Sequence, residues 1–260
     1  MVGLRRSKQC VIINNDMNYR ILLFDLDDTL IDNKQSVKCA LESTLNHFGY
    51  EYSEEIFLKW LKIDKDFWER WQNGLVELPA KYKKETGKKS QEFLDWLRSQ
   101  RFLIFLNDSI SLDNAIILNN YYMSLLSKNV IPVEGAKDVL EYLSGGYSII
   151  VATNGPKVAA RDKIIRIGCT KFVDNVFSAD MFGYMKPRKE FLDGIMGAIG
   201  NINKREYLVI GDSLKSDVGL AENCGVDSCW FNRAKSRAFL ENYRPTMIIE
   251  RLEQLKSLLG

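Results

Sequence analysis

The hydrophobic residues of this chain fall in short runs that alternate with longer segments of helical spacing. Apolar runs bounded by turn residues predict five strands, at residues 21–26, 147–152, 173–177, 207–210 and 226–231. Helical patterns separate the later strands, at residues 136–143, 157–167, 189–199 and 216–223. This alternation predicts an α/β fold with a Rossmann-like parallel sheet covered on both faces. Because ligands of such sheets bind outside the carboxyl ends of the strands, residues directly after each strand are the first functional candidates.

Residues 33–130 depart from this alternation, because they are rich in aromatic and charged residues at helical spacing. We predict that they form a mostly helical domain inserted after the first strand. The α/β core then comprises residues 20–32 and 131–260. Residues 1–19 carry no clear periodic pattern, and we expect a dispensable tail, with translation from Met17 as a hypothesis.

Four aromatic residues of the predicted insertion fall on one stripe of a helix: Trp60, Phe67, Trp68 and Trp71. We expect this stripe to pack into the core of the inserted domain. An alternative is that Trp68 or Trp71 stacks on a planar substrate group. The Lys-rich segment at residues 79–96 is interpreted as an insertion, and its lysines as those of a solvated loop.

Composition narrows the possible chemistry. The chain has 260 residues, of which 46% are hydrophobic and 27% charged, which is typical of a globular protein. It has a single histidine, His47, so zinc sites built from paired histidines are excluded and carboxylate, lysine or bound-metal chemistry is favoured. Its 36 basic and 34 acidic residues give a net charge of +2, and we expect neither nucleic acid nor a membrane as partner.

The cysteines and the apolar runs indicate the cellular setting. Five cysteines without a Cys-x-x-Cys pair predict neither a disulfide framework nor a zinc site; they are Cys10, Cys39, Cys169, Cys224 and Cys229. We therefore expect reduced thiols and a cytoplasmic protein. No run approaches the ~18 apolar residues of a membrane-spanning helix. Monomer and homodimer are both compatible with the sequence.

Carboxylates gather directly after two of the predicted strands. Asp25, Asp27 and Asp28 follow the first strand, and Asp212 and Asp217 follow the fourth. A turn or a helix start accounts for one aspartate, but not for three aspartates within four residues. Carboxylates crowded at one sheet edge repel one another unless a cation neutralises them, so this pattern predicts a bound cation or a lysine partner.

Polar residues of other kinds follow the second and third strands. Thr153 and Asn154 open a helix with a hydroxyl, an amide and free backbone N–H groups, a pattern typical of an anion site. Lys186 lies directly before Pro187, at the start of a later helix. Each segment alone is ambiguous, since such turns and lysines are common. The four segments in this order, each after a strand, together indicate one site.

These four segments resemble the four motifs of the haloacid dehalogenase-like (HAD) hydrolase superfamily. The most specific are Asp-x-Asp-x-Thr-Leu, at Asp25 to Leu30, and Gly-Asp-Ser-x-x-x-Asp, at Gly211 to Asp217. The helical insertion resembles the cap domain of that family. Asp27 is the second motif-one aspartate that the family's phosphatases have and its dehalogenases usually lack, so the resemblance implies phosphoryl transfer.

The resemblance also implies a role for each motif residue. Asp25 would attack phosphorus as the nucleophile, and Asp27 would protonate the leaving group and then activate water. Asp25, Asp212 and the backbone carbonyl of Asp27 would hold Mg²⁺. Thr153 and Asn154 would bind phosphoryl oxygens, and Lys186 would balance the charge. Asp217 would orient Lys186 or a metal-bound water, and Asp28 and Thr29 would shape the loop.

Further details resemble the branch that hydrolyses nucleoside 5′-monophosphates, often pyrimidine ones. They are the segments at residues 67–74, 151–155 and 229–232, and the Arg-Phe pair of that branch corresponds to Arg101 and Phe102. We therefore predict a small phosphate ester as substrate, with a nucleoside monophosphate first. The alternatives are a sugar-phosphate or phosphoglycolate phosphatase of broad specificity, a phosphomutase and a non-catalytic binding protein. His47 has no part in this mechanism.

Overall fold

The computed structural model describes residues 18–83, 90–236 and 242–260. The chain divides into two compact units. One, here called the α/β unit, comprises the described residues up to Asn33 together with Val130–Gly260. The other, the helical unit, comprises Lys34–Asn129. Most of the predicted tail and residues 84–89 of the Lys-rich segment lie outside the described residues.

A parallel sheet forms the centre of the α/β unit, as predicted. Within the described residues it has six strands in the order β3-β2-β1-β4-β5-β6, and every neighbouring pair is parallel. The strands are β1 (Ile21–Phe24), β2 (Ser148–Thr153), β3 (Asn175–Ser178), β4 (Tyr207–Gly211), β5 (Asp227–Phe231) and β6 (Met247–Ile249). Since β1 lies between β2 and β4, the loops that follow these three strands meet at one edge.

Helices cover both faces of the sheet because the buried side chains of each strand alternate. One face packs Leu22 and Phe24 of β1 with one set of helices, and the other packs Ile21 and Leu23 with a second set. The first set includes α5 (Ala136–Leu143), α6 (Lys157–Arg166) and α10 (Gln254–Leu259). The second set includes α8 (Lys189–Ile199) and α9 (Gly219–Cys224), and the short α7 (Ala179–Phe182) follows β3.

Helices α7 and α10 were not predicted, and one strand and one predicted helix of this unit also differ from the sequence prediction. The sixth strand, β6, was not predicted, because three residues are too few to show a period of two. The helix predicted at residues 216–223 is a π-helical turn, Leu214–Val218, followed by α9. The turn forms because the Ser213 carbonyl accepts from the amide of Asp217 at 2.8 Å and that of Val218 at 3.3 Å.

The helical unit consists of α1 (Asn33–His47), α2 (Glu54–Gln72), α3 (Gln91–Phe105) and α4 (Leu112–Lys128). A serine caps the start of three of them, with its hydroxyl accepting a backbone N–H, at Ser53, Ser90 and Ser111. Trp60 lies in a buried cluster with residues of all four helices, whereas Phe67 lies in a second cluster with residues of α3. The aromatic stripe of α2 is thus divided between two cores. No described helix is long and apolar enough to cross a membrane.

Candidate active site

The loop after β1 carries the predicted nucleophile and the predicted acid/base. The Asp25 amide donates to the carbonyl of Ile210 in β4 at 2.8 Å, so the loop begins where two strands are still paired. Asp28 has a φ of 64°, and its amide donates to the Ile31 carbonyl at 2.7 Å. This left-handed residue closes a tight turn, which fixes the backbone of Asp25 and Asp27.

Lys186 lies between two of the predicted site carboxylates. Its Nζ is 2.5 Å from Oδ1 of Asp25 and 2.7 Å from Oδ1 of Asp217. The exposed fractions of the side chains are 2% for Lys186, 2% for Asp217 and 12% for Asp25. Burial alone would lower the pKa of Lys186, but the two carboxylates outweigh it and raise that pKa. Lys186 is therefore a fixed positive charge beside Asp25.

Asn154 holds the backbone of Lys186 from both sides. Its Oδ1 accepts from the Lys186 amide at 2.8 Å, and its Nδ2 donates to the Lys186 carbonyl at 3.2 Å. The same Nδ2 lies 3.4 Å from the hydroxyl oxygen of Ser216. The side chain of Asn154 thus orients the lysine, and its backbone N–H remains the group predicted to meet an anion.

Thr153 ends β2 with its side chain buried. Its Oγ1 accepts from the Gly155 amide at 3.0 Å, which shapes the turn into α6. A hydroxyl that accepts one bond can still donate its own hydrogen. The geometry therefore agrees with a role for Thr153 as donor to an oxyanion.

Asp212 is held by residues from two other elements. The hydroxyl of Thr29 accepts from the Asp212 amide at 3.0 Å and lies 3.4 Å from Asp212 Oδ1. The indole N–H of Trp230 in β5 donates to the Asp212 carbonyl at 2.8 Å. Burial, and then repulsion from Asp25, raises the pKa of Asp212 to about 8.

Asp217 returns to the strand edge through the π-helical turn. Its Oδ2 accepts from the Ser213 amide at 3.1 Å, while Oδ1 faces Lys186. A Cβ at Gly211 would lie 2.2 Å from that Oδ2, so only glycine leaves room for the carboxylate. This close approach explains the glycine that precedes Asp212.

The structure brings three of the predicted carboxylates together. Oxygen atoms of Asp25, Asp212 and Asp217 all lie within 4.8 Å of one another. Burial raises the pKa of Asp25 to about 7; Lys186 lowers it, and Asp217 and Asp27 add repulsion. A hard divalent cation fits this donor set, because it takes oxygen ligands and relieves the repulsion. Lys186 and the Ser213 amide already engage both oxygens of Asp217, so Asp25 and Asp212 fit as direct ligands.

Sequence reasoning missed one side chain of the site, Lys163, and the contact made by another, Trp230. Nζ of Lys163 in α6 forms an ion pair with Oδ1 of Asp27, and Trp230 anchors Asp212. Lys163 has one detectable feature in the sequence, since it falls on the helical stripe of Ala160, Ile164 and Ile167. The contact of Trp230 depends on strand pairing, and nothing in the local sequence indicates it.

The other candidate residues lie in the helical unit. Trp68 and Trp71 are half-buried beside the cluster of Phe67, and the Trp68 indole N–H donates to Asp64 at 3.2 Å. The guanidinium of Arg101 is buried, pairs with Asp64 and lies 5.4 Å from the Trp68 ring centre. His47 stacks on Tyr121, with the ring centroids 4.3 Å apart.

The profile of the haloacid dehalogenase-like hydrolase family matches residues 22–231. The chain belongs to this family. It is therefore an enzyme of the hydrolase class, and the four sequence motifs resemble that family for this reason.

Individual relatives cover nearly the whole chain. The pyrimidine 5′-nucleotidase YjjG of Escherichia coli is 24% identical over 94% of this chain and 99% of its own length. The glyceraldehyde 3-phosphate phosphatase of Pyrococcus abyssi is 29% identical over 83% of this chain and 82% of its own. The HAD-hydrolase YfnB of Bacillus subtilis, in a crystal structure bound to magnesium, has the same fold, with a TM-score of 0.77. It is 23% identical over 94% of this chain and 99% of its own.

Proposed function

We propose that this hydrolase is a Mg²⁺-dependent phosphatase that cleaves small phosphomonoesters through an aspartyl-phosphate at Asp25. The observation that carries the proposal is the position of Asp25, which is mostly buried, 2.5 Å from Lys186 and within the carboxylate cluster of Asp212 and Asp217. A carboxylate attacks a phosphate ester only where the negative charges of both are neutralised. A lysine and a cation-binding cluster beside one aspartate meet that requirement.

The residues divide the reaction between them. An oxygen of Asp25 bonds to phosphorus as the ester P–O bond breaks, and Asp27 gives its proton to the leaving oxygen. Asp27 then takes a proton from water as the water oxygen bonds to phosphorus and the bond to Asp25 breaks. Thr153 and the Asn154 N–H hold phosphoryl oxygens during both steps.

The charged residues around this centre have supporting roles. Mg²⁺, held by Asp25, Asp212 and the Asp27 carbonyl, would supply positive charge against the phosphoryl group. Lys186 keeps its proton throughout and balances the charge of Asp25. Asp217 orients Lys186, in agreement with the 2.7 Å contact between them. Asn154 orients the same lysine through its backbone.

For the substrate we propose a nucleoside 5′-monophosphate. The match to a pyrimidine 5′-nucleotidase along 99% of that relative supports this choice. We further propose that the helical unit is the cap domain and that Trp68 or Trp71 stacks on the base, a contact of about 1–3 kcal/mol. A sugar phosphate is the second candidate, because the Pyrococcus phosphatase for glyceraldehyde 3-phosphate is 29% identical.

Two variants test the chemistry. Asp25→Asn and Asp27→Asn should fold but lose phosphatase activity, and Asp162→Asn, an exposed aspartate of α6, should keep it. A radiolabelled aryl phosphate, whose leaving group needs no proton, should label the wild-type protein and Asp27→Asn covalently, but not Asp25→Asn. Normal turnover in Asp25→Asn would rule out the covalent mechanism.

Two further experiments test the metal and the substrate. EDTA should abolish activity and Mg²⁺ restore it, so hydrolysis that persists in EDTA would exclude the metal role. A panel of nucleoside monophosphates, glyceraldehyde 3-phosphate and phosphoglycolate, ranked by kcat/KM, tests specificity. If the nucleotides rank no higher than the sugar phosphates, the second candidate replaces the first.

A further inference from the structure

Helix α6 carries a lysine on its buried face. Ala160, Ile164 and Ile167 of this face are buried in the core. Lys163 shares the face, and its side chain is 25% exposed, whereas Arg161 and Arg166 of the same segment are exposed. A lysine turned partly out of solvent costs free energy unless its ammonium group finds a partner.

The partner of Lys163 is the predicted acid/base of the reaction. Nζ of Lys163 donates to Oδ1 of Asp27, whose side chain is 37% exposed. The backbone of Asp27 is already fixed, because it bridges to Ile31 and the turn at Asp28 closes beside it. The loop therefore sets the position of the residue, and Lys163 sets the direction of its carboxylate.

We propose that Lys163 is a positioning residue that holds the Asp27 carboxylate in the orientation from which it exchanges protons. This inference rests on the function proposed above. Asp27 gives a proton to the leaving oxygen in the first step and takes one from water in the second, so its carboxylate must return to one place in between. An ammonium group within hydrogen-bonding distance attracts that carboxylate whenever it is charged.

A second lysine beside the site, Lys186, has different carboxylate partners from those of Lys163. Lys186 faces Asp25 and Asp217 from the loop before α8, and Lys163 faces Asp27 from α6. Asp25 and Asp27 thus each have a lysine of their own, from a different element. The arrangement keeps the carboxylate that attacks phosphorus apart from the one that moves protons, so loss of Lys163 should impair proton transfer more than attack.

Leaving groups of different basicity separate an effect on proton transfer from an effect on attack at phosphorus. A nitrophenolate leaves without protonation, whereas the alkoxide of a nucleoside 5′-monophosphate needs a proton from Asp27. In Lys163→Met we expect kcat/KM for the alkyl ester to fall about 10- to 100-fold, the range for loss of a supporting hydrogen-bond partner. For 4-nitrophenyl phosphate we expect a fall of less than about threefold. Lys163→Arg should restore part of the alkyl activity, and Arg166→Met, the control on the exposed face, should leave both values unchanged.

A double variant shows whether Lys163 acts through Asp27. Asp27→Asn has lost turnover, but a nitrophenolate burst still reports phosphorylation of Asp25, and in this background the further change Lys163→Met should not slow that burst. An equal loss for both esters in Lys163→Met, no loss at all, or an additional loss in the double variant would overturn the proposal. If Asp27→Asn itself keeps full alkyl-ester activity, the acid/base assignment fails instead, so the two failures are distinguishable.

Discussion

Replacing Lys186 by methionine removes the cation that joins two buried carboxylates. Methionine fills a similar volume, so packing is largely retained and the change is mainly one of charge. The Nζ of Lys186 makes contacts of 2.5 Å to Asp25 and 2.7 Å to Asp217, and both Lys186 and Asp217 have side chains only 2% exposed. Breaking a buried pair by removal of one partner costs about 3–5 kcal/mol of unfolding free energy.

The loss should depend on pH in a defined direction. Burial already raises the pKa of Asp25 to about 7 in the presence of Lys186, against about 3.9 in the unfolded chain. A carboxyl group whose pKa is higher in the folded than in the unfolded chain stabilises the fold fully at pH values below its unfolded pKa. This stabilisation is lost as the pH rises through its folded pKa. In Lys186→Met the folded pKa of Asp25 rises further, so the part of the destabilisation that comes from Asp25 should be small near pH 5 and reach its full value near pH 8, which makes the total loss larger at pH 8 than at pH 5.

Urea denaturation in EDTA, at pH 5 and pH 8, measures this loss. Lys189→Met is the matched control, because Lys189 lies three residues away in an exposed pair with Asp193 at 3.7 Å. The free energy of unfolding of this control should not change measurably. A Lys186→Met protein as stable as the control at pH 8, or destabilised equally at both pH values, would refute the role of Lys186 as counter-charge.

Three shorter predictions concern the same site. Gly211→Ala places a Cβ about where the Asp217 carboxylate lies. Turnover should therefore fall by at least about tenfold, while the circular dichroism spectrum stays unchanged. Turnover equal to that of the wild type would contradict the packing argument. Titration of Mg²⁺ by calorimetry should release up to two protons below pH 7 and almost none above about pH 9, because the pKa values of Asp25 and Asp212 are raised to about 7 and about 8. Affinity that is independent of pH would contradict this prediction. Trp230→Phe leaves the Asp212 carbonyl without its indole donor and should cost about 1–3 kcal/mol in urea denaturation; an unchanged midpoint would show that water replaces the bond.

The order of most strands and helices could be predicted because most elements of the α/β unit carry a pattern of their own. The predicted helices at residues 136–143 and 189–199 have the observed bounds, those of α5 and α8. The strand β6 and the π-helical turn were missed for different reasons. Strand β6 is defined by its pairing with β5, and the turn is defined by hydrogen bonds to Ser213, so neither leaves a period in the sequence.

The site could be predicted as a set of residues, but its internal contacts could not. Parallel strands end at one sheet edge, and this rule alone brings Asp25, Thr153 and Asp212 together. It does not say which lysine faces which aspartate. Lys186 was expected near Asp25, whereas Lys163 was not expected at all, because it lies within α6, ten positions after the end of β2. Only the docking of α6 on the sheet brings its ammonium group to Asp27.

The substrate is harder to derive than the chemistry because the helical unit uses most of its aromatic residues for its own stability. Trp60 and Phe67 are buried in two separate clusters, and Phe93 is fully buried in the second. Their rings therefore have no surface left for a ligand. Trp68 and Trp71 are half-buried, so part of each side chain stays accessible. If substrate choice rests on these two side chains, as proposed above, relatives that share the core can differ in substrate through changes at such positions alone.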